Sequence, residues 1–383
     1  MFRWIALALF LATLALACGE TPTADPPAEE PVPEGLEGTE DVADALETGA
    51  AESDCTYDEV YAAVEGLEGQ ERRDTLVSMA EGGSDLSLYT SLNAAIADEV
   101  LSAYEEDTGL SVALYRASDQ VLRNRLIEEA AAGFAGADVV ETNGPTLVAL
   151  ANEGVLAPLN SPATDGLVEG AVRELWTASR FNIYTPAWNT ELVTDPPQTY
   201  LDLADPKWDG RMAMEIEDYD WYWSLWNYLV EDKGMTPEEV DAYFNELAEG
   251  ADFTSGHTAT RQLVVAGEYA LFVSDYSYGV AEAAAAGAPI DWQPAVEPLF
   301  GRPNGIALVC NAPNPAAALV FTEWYLNEGQ EVLVANNVDP ARETLLDLDG
   351  AEVRIINMEE YLAELDEFIA MYEELAGVGN VVG

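Results

Sequence analysis

Three strand–helix units follow one another early in this chain, and they narrow the folds open to it. The apolar run Leu86-Ser87-Leu88-Tyr89 leads through Thr90-Ser91-Leu92-Asn93 into a helix with Ile96, Val100 and Tyr104 on one face, ended by Thr108-Gly109. A second strand over 110–115 feeds Arg116-Ala117-Ser118 and a helix carrying Leu122, Leu126 and Ala130. A third over 137–140 ends at Glu141-Thr142-Asn143, before Gly144-Pro145, with Pro145 suited to the first turn of the next helix. Consecutive units of this kind make a parallel, wound α/β sheet. All three strands leave polar residues at their C-terminal ends, the edge where such sheets bind ligands.

A later stretch, Phe272-Val273-Ser274-Asp275-Tyr276-Ser277-Tyr278-Gly279, repeats that situation. It follows an apolar run over 269–273 that is expected to be a buried strand, so Asp275, Tyr276 and Tyr278 are expected at the strand's mouth. Phenol and carboxylate oxygens there suit a hard metal ion or an organic cation. With 383 residues, 49% of them hydrophobic, the chain can bury the cores of two lobes. Against 71 Asp and Glu stand 15 Lys and Arg, a net charge of -56, which argues against nucleic acid or an anionic membrane surface as partner. A solvated acidic surface keeps an exported protein soluble, and it also concentrates cations near a site.

Residues 1–18 have the form of a targeting segment, with Arg3, an apolar run from Trp4 to Leu16, and Ala17-Cys18 at the end. Leu14-Ala15-Leu16-Ala17-Cys18 resembles a lipoprotein box with Cys18 as the lipidated residue, although Ala15 stands where such boxes usually carry Leu. The expectation is an exported lipoprotein on the outer face of the cytoplasmic membrane. If Cys18 carries lipid, Cys55 and Cys310 are left over, and outside the cytoplasm they are candidates to pair. Residues 19–53, rich in Glu, Pro, Ala, Thr and Gly, have the composition of a disordered acidic tether. Residues 54–84 form a helical extension in this reading, and 346–383 a C-terminal helical segment with Tyr361, Leu365, Phe368 and Tyr372 at helical spacing.

Across residues 86–343 a series of short motifs resembles the solute-binding proteins of ABC importers of the ferric-iron class. They are Leu88-Tyr89-Thr90-Ser91, Tyr104-Glu105-Glu106-Asp107-Thr108-Gly109-Leu110-Ser111-Val112, Arg125-Leu126-Ile127-Glu128-Glu129-Ala130 and Gly136-Ala137-Asp138-Val139-Val140. Ser179-Arg180, Trp188-Asn189-Thr190-Glu191-Leu192-Val193 and 201–214 continue the series. Gly267-Glu268, 312–318 and Glu328-Gly329-Gln330 end it. The resemblance implies a type II periplasmic-binding-protein clamp, with lobe 1 over 85–178 and 300–345, lobe 2 over 179–299, and a ligand cleft at the hinge. Its partners would be a permease with a separate ATPase and a small cargo, with the protein a monomer and no catalysis.

In that family the metal is held by consecutive tyrosines after the later strand. The first falls on Tyr276, the second on Ser277, and Tyr278 comes one residue further; were the chain still extended there, Tyr276 and Tyr278 would share a face. A further family tyrosine falls on Tyr222, which aromatic core packing would equally explain. The family's His and carboxylate positions fall on the neutral amides Asn93 and Asn143. The resemblance thus implies ferric iron as cargo, on Tyr222, Tyr276 and Tyr278 with Asp275 or Glu141 and a synergistic anion. The departures leave a rival open on the same scaffold. An organic cation such as a polyamine would use Tyr89, Tyr219, Trp221, Tyr222, Tyr276 and Tyr278 with Asp220, Asp275 and Glu141 as an aromatic, acidic box. A phosphate or phosphonate compound would need Arg116 or Arg180 with Ser118, Thr90, Ser91 and helix N-terminal amides. His257, the single histidine, is expected exposed in a loop. A Ser-His-Asp triad or metalloprotease helix has no candidate, so an exported hydrolase, with Asp218 and Asp220 as paired carboxylates, stands as a remote alternative.

Overall fold

The computed structural model describes residues 55–381, all within one unit, Glu52–Gly383. Cys18, the targeting segment and the acidic stretch 19–53 lie outside the described residues, among which no helix is long and apolar enough to cross a membrane. The described chain begins with two helices, α1 (Asp58–Ala63) and α2 (Gly69–Ala80). The Cys55–Cys310 disulfide and a hydrogen bond from Thr56 N–H to the Cys310 carbonyl tie this extension to the body.

The early strand–helix units are β1 (Leu86–Thr90), α3 (Ala94–Thr108), β2 (Val112–Arg116), α4 (Asp119–Ala131), β3 (Val139–Asn143) and α5 (Gly144–Asn152). Asn93 caps α3 by accepting from Ala95 N–H, and Asn143 caps α5 by accepting from Thr146 N–H. Gly109, at φ 74, takes the left-handed conformation that closes α3. Parallel pairing sets β1 between β2 and β3. The short β4 (Leu156–Ala157) precedes β5 (Thr177–Asn189), whose 13 residues run on into a second lobe. That lobe contains β6 (Met212–Glu215), α6 (Tyr219–Glu231), α7 (Pro237–Glu249), β7 (Ala251–Thr254), α8 (His257–Ala266), β8 (Leu271–Tyr276), α9 (Ser277–Ala285) and β9 (Ile290–Asp291). The 11 residues of β10 (Leu299–Val309) return to the first lobe, where α10 (Pro315–Leu326), α11 (Gly329–Ala335) and β11 (Asp339–Pro340) follow. After β12 (Val353–Ile355) and α12 (Met358–Ala363), α13 (Leu365–Val378) packs on α6 and α7, and β13 (Asn380–Val381) joins the edge at β7.

The main path through the sheet is β13-β7-β6-β8-β5-β10-β3-β1-β2. Its middle is the antiparallel pair β5–β10, in register from Phe300↔Tyr184 to Ile306↔Thr177, with a shift between Asn304 and Gly305. β5 also pairs with β8 at Tyr184↔Tyr276, while β10 pairs with β3 from Asn304↔Asn143. The two crossing strands therefore carry the backbone hydrogen bonding from one lobe to the other.

Strand ends differ from expectation in one consistent way. The third strand was expected to stop at 140 and the later one at 273, but β3 continues to Asn143 and β8 to Tyr276. Charge misled the sequence reading here. Glu141 and Asp275 are both buried, 2% and 0% exposed, because Arg180 and Arg261 neutralise them, so a carboxylate that resembles a strand end lies within the strand.

Close packing of the crossing pair depends on Gly305. A Cβ there would lie 2.6 Å from the Thr177 carbonyl oxygen and 2.8 Å from the Trp176 ring, neither free to move. Gly305→Ala is expected to destabilise the protein by about 1–3 kcal/mol, read as a lower thermal midpoint. An unchanged midpoint would contradict this packing.

Candidate functional site

Alternation along the crossing strands sets the chemistry of the cleft. On β5, Phe181 and Ile183 go into the core, while Arg180, Asn182 and Tyr184 share the other face. On β10, Phe300, Arg302 and Asn304 stand opposite Tyr184, Asn182 and Arg180. Arg302 and Asn304 with Arg180 form one wall of a cavity of about 420 Å³. Its other lining comes from the ends of the first-lobe strands and the helix starts behind them: Ser91, Arg116, Ser118, Asp119 and Asn143.

Each guanidinium in this cavity is held in place. Arg116 donates from Nε to the Leu92 carbonyl at 2.6 Å, and Arg180 donates from Nε to Glu141 Oε1 at 3.0 Å. Glu141 accepts in turn from Thr90 Oγ1 at 2.5 Å. A guanidinium carries five donors, so anchoring through Nε leaves donors for a ligand. Ser118 begins α4 without a side-chain cap, which leaves that helix's first N–H groups for an incoming anion. Asp119, the one carboxylate of the lining, accepts from Asn143 Nδ2 at 2.8 Å. Ser91 and Thr142 hydroxyls share a 3.0 Å hydrogen bond.

Arg302 links this cavity to a second cluster. Its Nη2 donates to Tyr276 Oη at 2.6 Å and its Nε lies 3.7 Å from Asp220 Oδ2. Tyr184 donates to Asp220 Oδ1 at 2.8 Å. His257 stacks on Tyr276, ring centroids 3.9 Å apart, with its Nε2 3.1 Å from Asp218 Oδ1. Tyr278 lies in the first turn of α9 rather than on an extended strand, yet its ring is nearly parallel to that of Tyr276 at 5.7 Å. Burial pushes the Tyr276 hydroxyl up; Arg302 pulls it down, and Asp218 and Asp220 push it up again. Burial also raises Tyr278, against the lowering effect of Arg261, Arg180 and Arg302.

Several expected ligands are committed elsewhere. Tyr222 is a core residue, 1% exposed, with its ring against Phe244, Phe368 and Tyr372. Tyr219 lies edge-on to Tyr372 on the same side, and Trp221 packs on Phe244. Tyr89 faces α4, donating to Glu129 beside Tyr115 and Arg125. Asp275 is locked in a bidentate pair with Arg261, and Glu141 is taken by Arg180 and Thr90. The aromatic, acidic box expected for an organic cation is thus scattered over three places. Asn93 and Asn143 cap helices, and Thr90 is buried against Glu141 and Leu92 N–H. Ser91, Arg116, Ser118, Asn143 and Arg180 do come together in the cavity, and Tyr276, Tyr278 and Asp220 in the second cluster that Arg302 joins to it.

Sequence reasoning missed Tyr184, Arg302 and Asn304, named Asp218 only as a hydrolase carboxylate paired with Asp220, and expected His257 in an exposed loop. The scarcity of basic residues that singled out Arg116 and Arg180 applies equally to Arg302, in Gly301-Arg302-Pro303-Asn304. His257 instead opens α8 with its side chain 15% exposed, because Tyr276 covers its ring and Asp218 pairs with it.

Burial lowers the His257 pKa, but Asp218, with Asp275 and Glu215, outweighs it, and the net shift is upward from 6.5. A raised folded value gives stabilisation that is complete below the unfolded value and lost as pH rises through the folded one. His257→Gln should therefore cost about 1–2 kcal/mol more at pH 5 than at pH 9, measured as the difference in denaturation midpoint from the parent protein. A pH-independent difference would show that no such ion pair forms.

Comparisons with known proteins agree with this architecture. The family profile described as bacterial extracellular solute-binding protein matches residues 99–339. The Fe(3+)-binding periplasmic protein of Serratia marcescens is 24% identical over 299 residues, covering 72% of this chain and 86% of that protein. Among solved structures, a Trichodesmium protein in complex with iron and citrate is 21% identical with a TM-score of 0.63, covering 76% of this chain and 99% of that one. The periplasmic binding protein of Actinobacillus pleuropneumoniae, with exogenous fructose-6-phosphate bound, is 19% identical with a TM-score of 0.58, covering 76% and 98%. At these identities the two structures establish the fold alone, whereas the family profile spans most of the chain. The protein belongs to the bacterial extracellular solute-binding proteins, a family that binds small solutes for ABC importers and is not enzymatic.

Proposed function

We propose that the cargo is a small organic solute held through a phosphate-type oxyanion. One observation carries this reading: of only 15 Lys and Arg in a chain of net charge -56, three line one cleft cavity of about 420 Å³. Drifting surface charge would not collect them there. Guanidinium forks match the geometry of phosphate oxygens, and the uncapped start of α4 adds backbone donors. In this reading Arg116, Arg180, Ser118 and Ser91 hold the anion from the first lobe. The second lobe closes over the rest of the solute with Tyr276 and Tyr278, the crossing strands β5 and β10 serving as the hinge. The closed form is then what the permease and its ATPase partner receive, with Cys18 as the lipid anchor that keeps the receptor at the membrane. The solute-phosphate complex of the Actinobacillus protein shows that this fold accommodates such a cargo in a relative.

Ferric iron with a synergistic anion is the second reading, supported by the near-parallel Tyr276 and Tyr278 rings and by the name of the Serratia relative. It asks more of the site. Iron favours phenolate, while burial raises both hydroxyls, and Asp275 and Glu141 already serve guanidinium partners. In a titration of the soluble protein from Gly19 onward, followed by calorimetry, fructose-6-phosphate or inorganic phosphate is expected to bind stoichiometrically. Arg116→Gln should weaken it about 10- to 100-fold, the worth of one charge-assisted hydrogen-bonding group. Unchanged affinity in that variant, or no binding of any phosphate-bearing solute, would overturn the reading.

A further inference from the structure

We propose that Arg302 is the residue that selects cargo by charge: a built-in cation that stands among the oxygen donors where a metal ion would otherwise sit. The inference rests on the anion reading for its first-lobe half, but its own argument comes from the second cluster. Three oxygen-bearing side chains, Tyr184, Tyr276 and Asp220, gather around one guanidinium, with Asp218 beside them against His257. Arg302 donates to the Tyr276 oxygen at 2.6 Å, lies 3.7 Å from Asp220 Oδ2, and is within 6 Å of both tyrosine ring centroids, 5.8 Å from Tyr184 and 5.5 Å from Tyr276. Asp218 is 1% exposed, and its Oδ2 has no hydrogen-bond partner, a carboxylate oxygen left without a donor beside this cluster. Phenol and carboxylate oxygens are the donor types that a hard trivalent or divalent ion takes. Here the positive charge that balances them is covalent.

A fixed guanidinium in that position acts twice. Toward a metal ion it is a like charge that also occupies the phenol oxygen, so binding would require breaking its hydrogen bond and bringing two cations together. Toward an anion in the adjoining cavity, which Arg302 also lines, it adds a third positive group and hence the attraction that the surrounding acidic surface opposes. His257 of the cluster is paired with Asp218, and of the guanidiniums that line the cavity Arg302 is the one that hydrogen-bonds into the second cluster.

The test is a titration with ferric nitrilotriacetate, watched for the visible phenolate-to-iron charge-transfer band, on the parent protein, Arg302→Gln and Arg302→Lys. Parent and Arg302→Lys, which keep the charge, are expected to show no band. Arg302→Gln is expected to gain a saturating, one-equivalent band that disappears when Tyr276→Phe is added, and to lose at least tenfold in phosphate affinity. A band in the parent protein, or none in a natively folded Arg302→Gln, would overturn the proposal. If Arg302→Gln folds poorly because Asp220 is stranded, the pair Arg302→Gln with Asp220→Asn removes both charges. It must then bind phosphate at least tenfold more weakly than Asp220→Asn alone, and equal affinities would count against Arg302. A parent protein that binds neither phosphate nor fructose-6-phosphate would end the anion reading while leaving the iron-gain result to judge Arg302 by itself.

Discussion

The pairing of β5 with β10 is the constraint on which the other features depend. These are the two strands long enough to serve both lobes, and their register places Tyr184 opposite Phe300, Asn182 opposite Arg302 and Arg180 opposite Asn304. Because side chains alternate along a strand, that register puts one set of residues in the core and the other in the cleft at the same time. A slip of one position would bury Arg180 and Arg302 and expose Phe181 and Ile183. Cleft chemistry and lobe packing therefore share one determinant, and Gly305 lets the strands approach closely enough to keep it.

Electrostatics in this molecule has a division of labour that net charge conceals. Most of the carboxylates are solvated, but a few are buried, and three of these have arginine partners: Glu141 with Arg180, Asp275 with Arg261, Asp220 with Tyr184 and Arg302. Buried pairs of this kind contribute little net stability, because desolvation offsets most of the attraction, yet removing one partner is costly. Their main consequence is orientation. Arg180 and Arg302 are held at the cavity by carboxylates behind them, and Arg116 by a backbone carbonyl. The acidic chain thus keeps a positive interior wall by spending individual carboxylates to aim individual guanidiniums.

The departures from the ferric-iron pattern acquire a structural meaning in this light. Asn93 and Asn143 stand where a metal site would have ligands, and both are occupied as helix caps. Tyr222 falls at a ligand position by sequence and lies in an aromatic core shared with α13. That helix comes from the far end of the chain, so the role of Tyr222 depended on a contact some 150 residues away in sequence, between positions 222 and 372.

Much of the architecture was legible in local pattern. The helical spacing of Ile96, Val100 and Tyr104, the capping residues, Pro145 and Gly109 marked the strand–helix units, and the motif series over 86–343 pointed to the family later matched over 99–339. The scarcity of Arg likewise singled out Arg116 and Arg180 as groups to watch. These are properties of short segments, set by backbone sterics and the burial of one face, so the sequence by itself determined them. What only the tertiary structure decided was which charged and aromatic side chains meet. Glu141 and Asp275 resembled strand-end ligands until Arg180 and Arg261 arrived from other elements. His257 resembled a loop residue until Tyr276 and Asp218 covered it, and Arg302 became the link between two clusters through its place on a crossing strand. An ionisable group's role is set by whichever opposite charge or phenol lies within a few ångströms, and in this fold those neighbours come from distant parts of the chain.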